Sequence, residues 1–199
     1  MLNRIIVIDD FIDKNYQEQI KNTLMGEETF NDFDFPWFYN DDVTEAFQEG
    51  NQGRPCLSHV YLEYGEDEES YVNSEFHDFF MPLLNRAAFR LQQREALPLQ
   101  GRSFLQFPLN LEYKDLDTPH LDIDDRDDYY IVLYYVCDSD GDTVIFNETV
   151  ESERYTVKQR VSPKQGRVVI FDGSLMHTAQ QPKNNVRCVV NYNLEYGRY

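Results

Sequence analysis

The stretch Thr118-Pro119-His120-Leu121-Asp122 places an imidazole and a carboxylate two residues apart, in a segment whose composition reads as extended. In extended backbone, residues two apart share a face, so His120 and Asp122 point into one interior while Leu121 points away. A third donor is His177, which follows the apolar run Val168 to Phe171 and the short Asp172-Gly173-Ser174 loop. Two imidazoles and one carboxylate bind one face of a ferrous ion and leave three positions open, as an oxygenase needs for co-substrate and dioxygen.

An HxD pair alone is weak, because a His and an Asp in an Asp-rich loop are common. Arg187 adds to it, standing ten residues after His177 beyond the turn Gln181-Pro182-Lys183-Asn184-Asn185. If that turn closes a hairpin, Arg187 returns beside His177, where its guanidinium can clamp a carboxylate bidentately. An arginine buried there requires an anionic partner.

The elements that must position these residues are mostly strands. After Pro98, the segments Ser103 to Tyr113, Tyr129 to Val136, Thr143 to Asn147, Arg154 to Lys158, Arg167 to Phe171 and Arg187 to Leu194 have strand texture. Turn chemistry separates them, as in Asp138-Ser139-Asp140-Gly141 and Ser162-Pro163-Lys164-Gln165-Gly166. That spacing predicts an antiparallel sandwich or jelly roll. Before it, Arg4 to Ile8 reads as a short strand, and Asp10 to Asp13 offers an N-cap for a helix carrying Tyr16, Ile20 and Leu24. Phe79, Phe80, Leu83, Leu84, Ala87, Ala88 and Leu91 form a helical apolar stripe within Phe76 to Leu91. Residues 30–75 are the least patterned, with extended candidates at Trp37 to Tyr39 and His59 to Tyr64, and are a candidate lid. The expectation is one α+β domain, mainly β: helical support over about residues 1–98 and a β core over about 99–195.

Composition narrows the partners. Against 36 Asp plus Glu stand 18 Lys plus Arg, a formal charge of -18, which disfavours general nucleic-acid binding and anionic membranes. Cys56, Cys137 and Cys188 are odd in number and lack CxxC spacing, so free thiols in a reducing compartment are expected. No stretch approaches membrane-spanning length and the first residues lack a signal-peptide pattern, which predicts a cytoplasmic protein.

Through His120-x-Asp122, His177 and Arg187, in this order, the sequence resembles the prolyl 4-hydroxylase-like branch of the 2-oxoglutarate/iron(II) dioxygenases. The run Leu133 to Phe146 with Asn147-Glu148 resembles small members of phages and marine bacteria. The resemblance implies a double-stranded β-helix, which agrees with the strand reading. It implies iron(II) on His120, Asp122 and His177, and 2-oxoglutarate with its distal carboxylate on Arg187. It also implies co-substrate contacts from tyrosine, for which Tyr135 and Tyr113 are the positional matches. Tyr129, Ile131, Leu133 and Tyr135 alternate with Tyr130, Val132, Tyr134 and Val136, so a one-residue slip would exchange Tyr135 for Tyr134.

The activity implied is hydroxylation by dioxygen of a protein, peptide or amino acid side chain, proline foremost, with release of succinate and carbon dioxide. No protein acid or base is required beyond the metal ligands. The alternatives are a nucleic-acid dealkylase, disfavoured by the acidic charge, and a non-catalytic jelly-roll module or cupin, for which Arg187 has no use. His59 and His77 stand apart from the motif and receive no role. The loop Asp124 to Asp128 follows Asp122 and is expected to overhang the entrance, where its carboxylates would favour a cationic or polar substrate.

Overall fold

Alternation of apolar residues in the second half of the chain resolves into two antiparallel sheets. In the computed structural model, which describes residues 5–26, 34–43, 54–109, 115–124 and 126–196, the large sheet takes an order that is far from sequential. It runs β1 (Ile6–Ile8), β9 (Val168–Asp172), β6 (Tyr129–Tyr135), β11 (Arg187–Glu195), β5 (Pro98–Gln106), β3 (Cys56–Tyr64) and β2 (Phe38–Asn40), with β4 (Ser70–Val72) also on β3. The small sheet is β10 (His177–Ala179), β7 (Thr143–Phe146) and β8 (Val157–Val161).

The period-two pattern of β6 sorts its side chains as expected. Tyr129, Ile131, Leu133 and Tyr135 enter an inner cluster with Phe104, Phe171 and Val189 of the large sheet and Ile145 and Val161 of the small one. Val132 and Tyr134 face the other way, into a cluster with the helices. Burying each of these large side chains contributes on the order of 1.5–3 kcal/mol, which holds the register and so the facing of every residue in the strand.

Helix α1 (Lys14–Met25) starts where Asp13 accepts a hydrogen bond from the Tyr16 backbone N–H at 3.1 Å. It buries Gln17, Ile20 and Leu24 on the outer face of the large sheet. Helix α2 (Phe76–Arg90) buries the predicted stripe beside it, including Phe80, Leu83, Leu84 and Ala87, and matches the predicted span to one residue.

Three expectations need correction. The N-terminal region is not only helical support, because β1, β2, β3 and β4 all join the large sheet. The strand expected from Arg154 starts later, at Val157. Ser152 Oγ donates to the Arg154 carbonyl and Glu148 takes the Thr156 backbone N–H at 2.9 Å, so residues 152–156 form a loop. The strand expected to begin at Ser103 begins at Pro98, where proline is tolerated as a first strand residue, and ends at Gln106. Residues 110–113 of that expectation lie outside the described residues.

Cys56, Cys137 and Cys188 are free and buried. No helix among the described residues is long and apolar enough to cross a membrane.

Candidate metal and co-substrate site

The HxD segment lies as an extra edge along β10. His120 and His177 exchange both backbone hydrogen bonds, at 3.0 and 3.1 Å, and the Asp117 N–H reaches the Ala179 carbonyl at 3.0 Å. That pairing places the two imidazoles side by side, with ring centroids 4.7 Å apart. Leu121 points away, onto the small outer cluster of Val144, Phe146 and Met176.

Asp122 leaves this edge and is caught by the opposite sheet. Asn191 of β11 donates to its Oδ2 at 2.9 Å, and Arg102 of β5 donates to its Oδ1 at 2.9 Å. Oδ1 then stands 3.9 Å from His120 Nε2 and 3.8 Å from His177 Nε2. The three donors lie within 4.8 Å of one another. The candidate site therefore spans the sandwich, with His177 on the small sheet, His120 bridged to its edge and Asp122 pinned to the large sheet.

The donor set fits a divalent cation. His120 Nδ1 meets the Thr118 carbonyl at 3.0 Å and His177 Nδ1 meets the Leu175 carbonyl at 3.1 Å. A carbonyl only accepts, so each Nδ1 carries the proton and each Nε2 turns a lone pair toward Asp122. Burial, and then the neighbouring His177, pull the His120 pKa down to about 4, which keeps it neutral as a metal ligand must be. Burial opposes the charge on Asp122, but the carboxyl is held well below the usual range, with the Arg102 guanidinium on Oδ1 a cause that does not depend on the histidine tautomers.

Beside these ligands lies a cavity of about 60 Å³ with apolar walls from Phe104, Leu133, Phe171 and Val189. Arg187 lines it and is 5% exposed. Its Nε donates to the Gly141 carbonyl at 3.1 Å, Nη1 to Gln106 Oε1 at 2.8 Å and Nη2 to Thr143 Oγ1 at 2.9 Å. All three acceptors are neutral, so they aim the fork without neutralising it, and burial draws its pKa below the ordinary arginine value. Gly141 is required for the approach, because a Cβ there would sit 2.7 Å from the Gln180 carbonyl oxygen and 3.2 Å from Arg187 Cδ.

Arg187 and His177 are brought together by a route other than the expected hairpin. β10 belongs to the small sheet and β11 to the large one, so the turn between them crosses the sandwich. Asp140 holds that crossing, taking backbone N–H groups of Lys183, Asn184 and Asn185 at 3.0–3.3 Å. Its carboxylate satisfies donors that a hairpin ladder would otherwise have used.

Tyr135 is on the inner face, and Tyr134 on the outer one. The Tyr135 hydroxyl donates to Thr143 Oγ1 at 2.7 Å, and its ring lies 6.0 Å from Arg187 Cζ. It buttresses Thr143 and Arg187 from behind rather than lining the cavity. Tyr113 lies outside the described residues.

Several contributors were not singled out from sequence. Arg102, Gln106, Asn191 and Thr143 all line the cavity, as does Asp117. Asp117 forms an ion pair with Arg54, whose Nη1 also donates to Gln181 Oε1 at 2.6 Å. Burial pushes the Asp117 carboxyl up to about 6, against the pull of Arg54 and Arg187. Alternation forward from Arg187 through Val189 reaches Asn191, and alternation back from Phe104 reaches Arg102, but only the β5 to β11 register sets them opposite each other.

The rim loop is more neutral than expected. Arg126 donates to Asp128 at 2.5 Å, to Glu195 at 2.6 Å and to the Tyr64 hydroxyl at 2.7 Å. Asp124 and Asp128 join Glu66 and Glu68 around a groove that reaches Asp122, while Asp125 lies outside the described residues. His59 and His77 pack against the Pro36 carbonyl and the Tyr192 hydroxyl, away from the site.

No family model and no curated protein matches this sequence. Solved structures do match. One is an oxidoreductase of the 2OG-Fe(II) oxygenase family from Burkholderia pseudomallei, with TM-score 0.69 and 14% identity, over 96% of this chain and 84% of that one. Another is the viral collagen prolyl hydroxylase from Paramecium Bursaria Chlorella virus-1, with TM-score 0.54 and 13% identity, over 96% and 90%. A third is HygX from Streptomyces hygroscopicus with nickel, 2-oxoglutarate and hygromycin B bound, with TM-score 0.57 and 13% identity, over 96% and 82%. This chain has the jelly-roll fold of the 2-oxoglutarate/iron(II) oxygenases.

Proposed function

We propose that the protein is an iron(II)- and 2-oxoglutarate-dependent oxygenase that hydroxylates a side chain of an amino acid, peptide or protein. The observation that carries this reading is one cavity with a His-Asp-His donor set at one side and a buried, uncompensated arginine reaching into it. A metal-binding module without turnover has no need of Arg187. A five-carbon dioic acid with a keto group needs both a metal and a distal cation.

In this reading His120, Asp122 and His177 hold the iron and Arg187 holds the distal carboxylate of 2-oxoglutarate. Iron and 2-oxoglutarate supply the chemistry when bound: oxidative decarboxylation to succinate and carbon dioxide, coupled to oxygen insertion into a C–H bond. The chain's own part is placement. Asn191 fixes one oxygen of Asp122 so that the other serves the metal, Gly141, Gln106 and Thr143 aim Arg187, and Phe104, Leu133, Phe171 and Val189 exclude water around the co-substrate. Proline leads the substrate candidates by likeness to the viral collagen prolyl hydroxylase.

The test is succinate formation by purified protein with iron(II), ascorbate and 2-oxoglutarate in air, with proline and prolyl peptides offered as substrates. Succinate above a His177→Ala control supports the reading. Metal-loaded protein with no succinate above that control leaves the non-catalytic module.

A further inference from the structure

The cavity has one positive charge too many for the two small molecules assigned to it. Its lining carries Arg102, Arg187, Asp117 and Asp122 as charged side chains beside the two histidines. Asp117 is already paired with Arg54. On the reading above, the distal carboxylate of 2-oxoglutarate neutralises Arg187. A ferrous ion is neutralised by Asp122 together with the carboxylate at the keto end.

Arg102 is then left over. Among the described residues, Asp122 is the one carboxylate within ion-pair distance of it, and the contact is to Oδ1, the oxygen that faces both histidines. A metal on Oδ1 takes the charge that Arg102 relies on. The side chain is only 15% exposed, and its Nε, sealed from solvent, has no hydrogen-bond partner. Its guanidinium rests 5.2 Å from the Phe104 ring, at the metal side of the cavity, four residues along β5 from Gln106 and the Arg187 subsite. A guanidinium so enclosed is costly without an anion.

We propose that Arg102 is a specificity-determining residue that receives a carboxylate carried by the primary substrate, making the substrate class a small carboxylic acid rather than a residue in the middle of a peptide chain. The proposal rests on the oxygenase reading. The adjoining groove, walled by Glu66, Glu68 and Asp124, suits the ammonium end of such a molecule, so a free amino acid satisfies both ends.

The test uses anaerobic protein loaded with iron(II) and 2-oxoglutarate, monitored through its visible charge-transfer band. Acetate and acetamide serve as probes, differing in charge and little in shape. The expected result is a saturable change in the band with acetate, absent with acetamide, and at least tenfold weaker in Arg102→Gln, each response normalised to that variant's own band. Arg102→Lys should retain part of it. Equal responses to both probes, an undiminished response in Arg102→Gln, or no response to acetate overturns the proposal. Loss of the band itself in Arg102→Gln alone also overturns it, by assigning Arg102 to the holding of metal or co-substrate. Absence of the band in the wild type contradicts the oxygenase reading instead.

Discussion

Asn191 Nδ2 donates to Asp122 Oδ2 at 2.9 Å, and this bond decides which oxygen of the carboxylate faces His120 and His177. The two residues come from parts of the chain that sequence separates widely, and their contact joins the HxD loop to the sheet that carries Arg187. Asn191→Leu should therefore leave all three ligands present yet lower metal affinity by roughly 10- to 100-fold, the range for outer partners of ligating groups. Competition against a metal-sensitive dye would measure this, and unchanged affinity would show that Asp122 orients itself.

Arg187 should control co-substrate binding. Losing a desolvated partner of a charged pair costs about 2–5 kcal/mol, so Arg187→Leu should weaken 2-oxoglutarate by roughly 30-fold or more. Arg187→Lys should restore little, because three acceptors around the fork are matched to a planar guanidinium. Calorimetric titration of 2-oxoglutarate into metal-loaded protein reads both, with thermal melts confirming that each variant folds.

Tyr135 should act on the co-substrate indirectly. Its hydroxyl reaches Thr143, which in turn takes a bond from Arg187. Tyr135→Phe keeps the ring and removes about 1 kcal/mol of hydrogen bonding, so 2-oxoglutarate affinity should fall only a few-fold. Thr143→Val removes an acceptor from Arg187 itself and should cost more. The reverse order of effects would put the Tyr135 hydroxyl in contact with the co-substrate.

The Asp117 carboxyl should leave a mark on stability against pH. Its folded pKa is about 6, raised above the unfolded value of 3.8 by burial. A group raised in this way contributes stability fully below the unfolded value and loses it as pH rises through the folded one. The contribution is of order 3 kcal/mol at most, from about two units at 1.36 kcal/mol each. Urea denaturation from pH 4 to pH 7 should show the difference between wild type and Asp117→Asn changing across that window. A constant difference would mean that Arg54 keeps Asp117 ionised throughout.

How far these features were legible in the sequence follows from what each depends on. The alternation in β6, the α2 stripe and the Asp13 cap are local, and local pattern was enough to place them. His120, Asp122 and His177 were legible because their spacing and scarcity mark them, and Arg187 because it follows a turn at the right distance. The route by which Arg187 arrives was not, since a Pro- and Asn-rich turn looks the same whether it closes a hairpin or crosses between sheets. Alternation puts Arg102 and Asn191 on the inner face without marking a role for them, and Arg54 has no local pattern at all; only long-range register, β5 against β11, brings the first two to Asp122. Local pattern marked β1, β2 and most of β3 as extended but missed β4, and that all four join the large sheet was not legible because their partners lie far along the chain or depend on one another.

The most direct measurement is anaerobic titration of the purified protein with iron(II) and then 2-oxoglutarate, following the weak visible charge-transfer band. The account predicts a saturable band, absent in His177→Ala and requiring far more 2-oxoglutarate in Arg187→Leu. Bound iron(II) with no band at saturating 2-oxoglutarate would contradict it.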